Sequence, residues 1–122
     1  MLRDIFLAFV RVHLLHHATA ERIYGLEMIE ELRRHGYDMS PGTLYPILHG
    51  LEERGYLKSE QEVASGKIRK YYRTTAAGRK LLEQLKSKIR ELGAEVLGPR
   101  LVVSSSRLRH RAAGRRFAPR PR

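Results

Sequence analysis

Two groups of side chains in this sequence have the types and spacing to do chemistry. His13, His16 and His17 stand at i, i+3 and i+4, which on a helix brings imidazoles close enough to share a metal ion. No paired carboxylate motif and no second ligand cluster accompanies them. The competing reading is a polar helix face or a dimer contact, and no cofactor is expected. The second group is cationic: Lys67, Arg69, Lys70 and Arg73, with Tyr71 among them, form a short basic run that suits phosphate oxygens. Nothing else in the chain offers a reaction. There is no Gly-rich phosphate loop, no nucleophile elbow and no carboxylate pair with a defined role. The absence of cysteine removes the thiol nucleophile, the thiolate metal site and any disulfide framework. The chain reads as a non-enzyme.

The elements that must position these groups can be read from periodicity. Leu57 to Val63 reads as a strand, Ala64-Ser65-Gly66-Lys67 as a turn, and Ile68 to Thr74 as a second strand rich in β-branched and aromatic residues. Alternation puts Arg69, Tyr71 and Arg73 on one face of this hairpin and Ile68, Lys70, Tyr72 and Thr74 on the other. Before it lies a helix over 41–54. Ser40 is placed to cap it, Pro41 sits where a missing N–H costs nothing, and Gly55 suits the left-handed position that ends it. Leu44, Ile47, Leu48 and Leu51 give that helix one apolar stripe. Pro41, Gly42, Thr43, Tyr45, Pro46 and His49 occupy the opposite side, with no acid in the first two and a half turns. The N-terminal amides add a positive dipole end suited to a phosphate or a base edge.

Upstream, Thr19 to Glu21 and Tyr24-Gly25 mark a turn. Leu26, Ile29 and Leu32, with Met28 beside them, make an amphipathic helix ending near His35-Gly36. Two helices on a short connection, followed by a basic-tipped hairpin, give a winged helix-turn-helix, mainly α with a small β-hairpin, whose second helix enters the DNA major groove. The DNA-binding candidates are therefore Ser40, Pro41, Gly42, Thr43, Tyr45, Pro46 and His49 on the helix, and Lys67, Arg69, Lys70, Tyr71 and Arg73 on the wing over 57–74.

Helices at both ends look built for pairing. Residues 2–17 form a first helix apolar on more than one face, so Ile5, Phe6 and Phe9 need a second cover. Thr75 caps a last helix in which Leu82, Leu85, Ile89, Leu92 and Val96 follow an alternating spacing of 3 and 4, the seam of a helix pair. A homodimer held by these two helices is expected. The apolar run Ile5 to Val10 imitates a signal segment, but Arg11 and His13 interrupt it and it falls short of the ~20 apolar residues of a membrane span. An internal helix in a cytoplasmic protein, with no membrane partner, is the expectation.

The formal charge of +11 lies mostly in one place. Residues 1–97 carry 16 Lys and Arg against 13 acids, a net of +3, while residues 98–122 carry 8 Arg and no acid, a net of +8. With few large apolar residues to offset its ordering entropy, the 98–122 tail is expected to be disordered, leaving 1–97 as a single domain.

These residues resemble a known family. Tyr24-Gly25, Ser40 through Leu48, Leu51-Glu52, Gly55-Tyr56-Leu57 and Lys70 through Gly78 are similar to the signature of the PadR family of bacterial and archaeal transcriptional regulators, over about residues 2–97. The single helix after the wing is similar to its compact subfamily. The chain departs from the pattern at Thr74, where an apolar residue is common, and in the Arg-rich tail. The resemblance implies a dimeric winged helix-turn-helix that binds operator DNA, usually represses transcription, and is often released by a small, frequently aromatic, effector. Two other readings stay open: a metal-responsive winged-helix regulator using His13, His16 and His17, and a winged-helix protein-interaction module that does not touch DNA.

Overall fold

The computed structural model describes residues 2–98, and residues 99–122 of the tail expected to be disordered lie outside the described residues. The elements run α1 (Leu2–Ala20), β1 (Ile23–Tyr24), α2 (Gly25–Arg34), α3 (Pro41–Glu53), β2 (Leu57–Ala64), β3 (Lys67–Thr74) and α4 (Ala76–Leu97). The chain divides into two compact units, residues 1–84 and 85–122, with the division inside α4. The architecture is a winged helix-turn-helix, with the hairpin extended to a three-stranded antiparallel sheet of order β1-β3-β2.

The core of the first unit forms where the apolar stripes meet. α1 buries Val10, Leu14, Leu15 and Ala18; α2 buries Gly25, Met28, Ile29 and Leu32; α3 buries Leu44, Ile47, Leu48 and Leu51. Leu57, Tyr72 and Leu82 add to it, each 3% exposed or less. Every such large side chain contributes about 1.5–3 kcal/mol on burial. The stripe on α3 is the expected one, and that helix ends at Glu53, with Arg54 as its cap.

Several expectations need correction. α1 runs on to Ala20, because Ala18 continues the buried stripe and the Glu21 amide still meets the His17 carbonyl at 3.1 Å. Leu26 is exposed, because the buried stripe of α2 starts one residue earlier, at Gly25. Tyr24, read with Gly25 as a turn, instead pairs with Ile23 as strand β1 against Tyr71 and Tyr72 of β3. Leu82, the first residue of the expected seam, is 3% exposed in the single chain.

Caps define the helix ends. Gly36 and Gly55 take φ of +92° and +86° after α2 and α3. In both, the next amide reaches back to the third-last carbonyl region of its helix: Tyr37 N–H to Leu32 and Tyr56 N–H to Leu51, each at 2.9 Å. Thr75 caps α4 as expected, its hydroxyl oxygen accepting the Gly78 amide at 3.0 Å. The polar Thr74 is buried but satisfied by a hydroxyl contact of 3.2 Å with Thr19. Ser65 and Gly66, at φ of +54° and +78°, make the two-residue turn that matches the twist of β2 and β3.

Gly78 yields a stability prediction. It is buried in the first turn of α4, and a Cβ there would overlap the backbone carbonyl of Tyr56, which cannot rotate away. Alanine is the better helix former by about 1 kcal/mol, but overpacking against backbone costs about 1–3 kcal/mol and has to move two elements. Gly78→Ala is expected to lower the thermal midpoint by several degrees in calorimetry. A raised midpoint would show that helix propensity outweighs the close approach.

Candidate nucleic-acid interface

α3 presents the side chains expected of it. Ser40 Oγ accepts the Thr43 amide at 3.2 Å, and Pro41 fills the first turn. Pro41, Gly42, Pro46 and His49 are exposed, and Thr43 is half-buried. Pro46 lies inside the helix and brings no amide for the Gly42 carbonyl, so an acceptor remains beside an exposed glycine. The first turn carries no acid. Arg3, from the first turn of α1, reaches Thr43 Oγ1 at 3.5 Å and brings a cation to this helix end. Sequence reasoning missed Arg3, because nothing in the local pattern says that the start of α1 lies beside the start of α3.

Tyr45 differs from the expectation of a wholly free side chain. It is 36% exposed, and its hydroxyl end packs so closely on Gly25 that a Cβ there would overlap the ring. Gly25 thus lets α2 and α3 approach, and Tyr45 offers only the remaining part of its ring.

The wing carries its cations in two ways. On one face Arg22 donates to Glu62 and Glu60 from beside β1, at 2.5 and 2.9 Å, and lies 3.9 Å above the Tyr71 ring. Arg69 lies 4.1 Å above Tyr24 and donates to the Tyr71 hydroxyl at 3.4 Å, while Arg73 donates to Glu60 at 3.4 Å. Arg69, Tyr71 and Arg73 share this face as alternation requires, but they are tied into an intrachain lattice that the hairpin sequence alone does not show. These pairs are exposed and contribute little stability; their effect is to hold the guanidinium planes in fixed directions. Lys67 is exposed and Lys70 half-buried, and neither enters an ion pair among the described residues. At the tip the cross-strand pair Val63 and Ile68 is 74% and 71% exposed.

A helix-turn-helix followed by this hairpin is the geometry on which the comparisons bear. The profile of the transcriptional regulator PadR-like family matches residues 14–84. The transcriptional regulator Rv3488 of Mycobacterium tuberculosis is 50% identical over 97 residues, covering 80% of this chain and 91% of that one. The chain belongs to the PadR-like family of transcriptional regulators. Among solved structures, a PadR-like regulator from Bacillus cereus superposes with a TM-score of 0.70 at 26% identity, over 76% of this chain and 92% of that one. A PadR family regulator from Eggerthella lenta gives 0.61 at 32% identity, over 78% and 88%. The PadR-like chain is therefore a winged-helix regulator of transcription and not an enzyme.

Two further features of this PadR-like fold depend on contacts between distant segments. A cleft of about 320 Å³ opens between the first half of α1 and the α2–α3 connection, lined by Leu2, Arg3, Phe6, Leu7, Tyr37 and Met39 among others. The structure also regroups the histidines: His13 and His17 stand with His35, while His16 lies outside that group. Burial, then the neighbouring His35 and His16, holds His13 below the usual imidazole range. Burial pushes Glu31 up, but hydrogen bonds from Arg34 and His35 and the charge of His17 prevail and bring it down to about 2. A carboxylate held that low stabilises the fold fully above the ordinary carboxylate range and loses its contribution as the pH falls through about 2. No helix among the described residues is long and apolar enough to cross a membrane.

Proposed function

We propose that this chain is a homodimeric, operator-specific repressor of the cytoplasm, with α3 (41–54 with its cap) in the major groove and the wing over 57–74 on the flanking backbone. The observation that carries the reading is the first turn of α3: an acid-free, capped helix end with exposed Pro41, Gly42 and Pro46, backed by Arg3, beside a hairpin whose Lys67 and Lys70 have no acidic partner among the described residues. Phosphate contacts from Lys67, Lys70, Arg69 and Arg73 set the register, and Thr43, Tyr45 and His49 face the bases. The cleft beside α1 lies in the size range of small-ligand sites and is bounded by Phe6 and Tyr37, which supports release by a small aromatic effector. Arg3 belongs to both the cleft and the α3 N-terminus, so a ligand there has a direct route to the DNA contact.

Dimerisation is supported by two exposed apolar stripes, one in each unit. Leu2, Ile5, Phe6 and Phe9 follow helical spacing on α1 and are each 47% exposed or more. Ile89, Leu92 and Val96 continue the seam of α4 at 49%, 54% and 68% exposure.

The deciding experiment is a gel-shift titration against the DNA upstream of the chain's own gene, with random duplex as competitor. Preference for the upstream DNA is expected. Equal binding to both would remove operator specificity, and no binding to either would leave a winged-helix module with another partner.

The tail adds a separable prediction. The 8 arginines and no acid of residues 98–122 attract any duplex through counterion release, which carries no base readout. Truncation after Gly98 is expected to weaken operator and random DNA by similar factors. The plot of log affinity against log salt should flatten by about 0.9 for each phosphate contact removed. Loss of operator preference on truncation would instead make the tail a reading arm.

A further inference from the structure

α1 and α2 each bring a pair of potential ligands, four residues apart, to the same spot. From α1 come His13 and His17; from α2 and its C-cap come Glu31 and His35. One ring nitrogen from each histidine lies within 4.8 Å of the others. The His13 and His35 rings stack at 4.8 Å between centroids, with His17 at 6.3 Å from His13 and 6.4 Å from His35. Glu31 Oε2 is 3.0 Å from His35 Nε2 and 3.5 Å from His17 Nε2, while Arg34 holds its Oε1 at 2.7 Å. The Tyr37 ring meets His13 at 5.4 Å and walls one side.

Three imidazoles crowded at a helix crossing contribute little apolar packing and repel one another when protonated. A shared cation reverses that balance. Zinc-class ions take nitrogen ligands at about 2.0–2.1 Å in a tetrahedral array, which places the nitrogens roughly 3.4 Å apart. From separations of up to 4.8 Å the ring nitrogens converge by up to about 1.4 Å, an adjustment that side-chain torsions supply. The donor set also discriminates among ions. It has no thiolate for soft monovalent copper and too few oxygens for calcium or magnesium, so it favours divalent ions that prefer imidazole.

We propose that His13, His17 and His35 form a site for a divalent transition-metal ion of the zinc class, with Glu31 beside it as the carboxylate that orients the imidazoles and balances the charge. Arg34 fixes Glu31 from behind, which leaves Oε2 turned to the histidines. Such carboxylate partners typically change metal affinity by about 10–100-fold. Occupancy ties α1 to the end of α2, just before the Gly36 turn that leads into α3. This site stands independently of whether α3 binds DNA.

The test uses the full chain without a histidine tag, stripped with chelator and dialysed. Zinc is titrated by calorimetry, and cobalt by its visible absorption. One ion per chain is expected, with an upward shift of the thermal midpoint as zinc is added in excess of its dissociation constant. His13→Gln and His35→Gln should each weaken binding at least tenfold, Glu31→Gln about 10–100-fold, and His16→Gln not at all. Nitrogen-15 histidine spectra of the wild-type chain avoid any folding defect of the variants: substoichiometric zinc should move His13, His17 and His35 and leave His49 in place. Absence of zinc binding, undiminished affinity in His35→Gln, or unmoved His13 and His35 signals would overturn the site.

Discussion

Replacing Ile89 and Leu92 with lysine is expected to turn the proposed dimer into folded monomers. Both side chains are about half exposed in the single chain, so the monomer loses little when they change. In a helix pair the same positions would be covered. Each lost apolar burial forfeits about 1.5–3 kcal/mol, and each lysine that cannot escape to water adds several more. A combined loss of about 5 kcal/mol weakens association more than a thousandfold. Leu85 is left unchanged because it is half-buried in its own chain. Sedimentation velocity would report the change, with circular dichroism showing that the helices persist. A double variant that sediments like the wild type would place the interface elsewhere.

The second large effect concerns Tyr45. Tyr45→Ala is expected to weaken operator binding about 5- to 150-fold, or about 1–3 kcal/mol, if the side chain both meets DNA and seats the proposed recognition helix. Two consequences are combined here, and Gly25 separates them. Gly25→Ala leaves the tyrosine in the sequence but drives its ring off α2. If the ring matters through its seat between the helices, Gly25→Ala reproduces the loss measured by fluorescence anisotropy. If it matters through DNA contact alone, Gly25→Ala binds better than Tyr45→Ala. Full affinity in both would remove Tyr45 from the interface.

The helices were legible because their signals are local. Ser40, Pro41 and Gly55 punctuate α3, and its apolar stripe falls where the period requires. The hairpin was legible for the same reason, with Ser65-Gly66 between two runs of strand formers. What escaped depends on distant partners. β1 has two residues, too few for any periodicity, and exists only because β3 pairs with it. The α2 stripe was misplaced because Gly25 fills an apolar position without being apolar; its reason for burial is the Tyr45 ring. The histidine group was half seen, since His13 and His17 are neighbours in sequence and His35 is their neighbour only across a helix crossing. Alternation puts Arg69 and Arg73 on the side expected to face phosphate, but the stacking of Arg69 on Tyr24 comes from β1, outside the hairpin.

The strand order β1-β3-β2 carries a consequence for how the domain assembles in time. β2 and β3 are joined by a two-residue turn and pair along their whole length, so their hairpin closes on the microsecond scale of local structure. β1 must wait, because its two rungs on Tyr71 and Tyr72 close a loop that includes α2, α3 and β2. The rim of the sheet is thus the last part to zip and the first to open. Amide hydrogens of Ile23 and Tyr24 should exchange with solvent well before those at the centre of β3, and the Arg22 clamp on Glu60 and Glu62 acts as the latch that slows them.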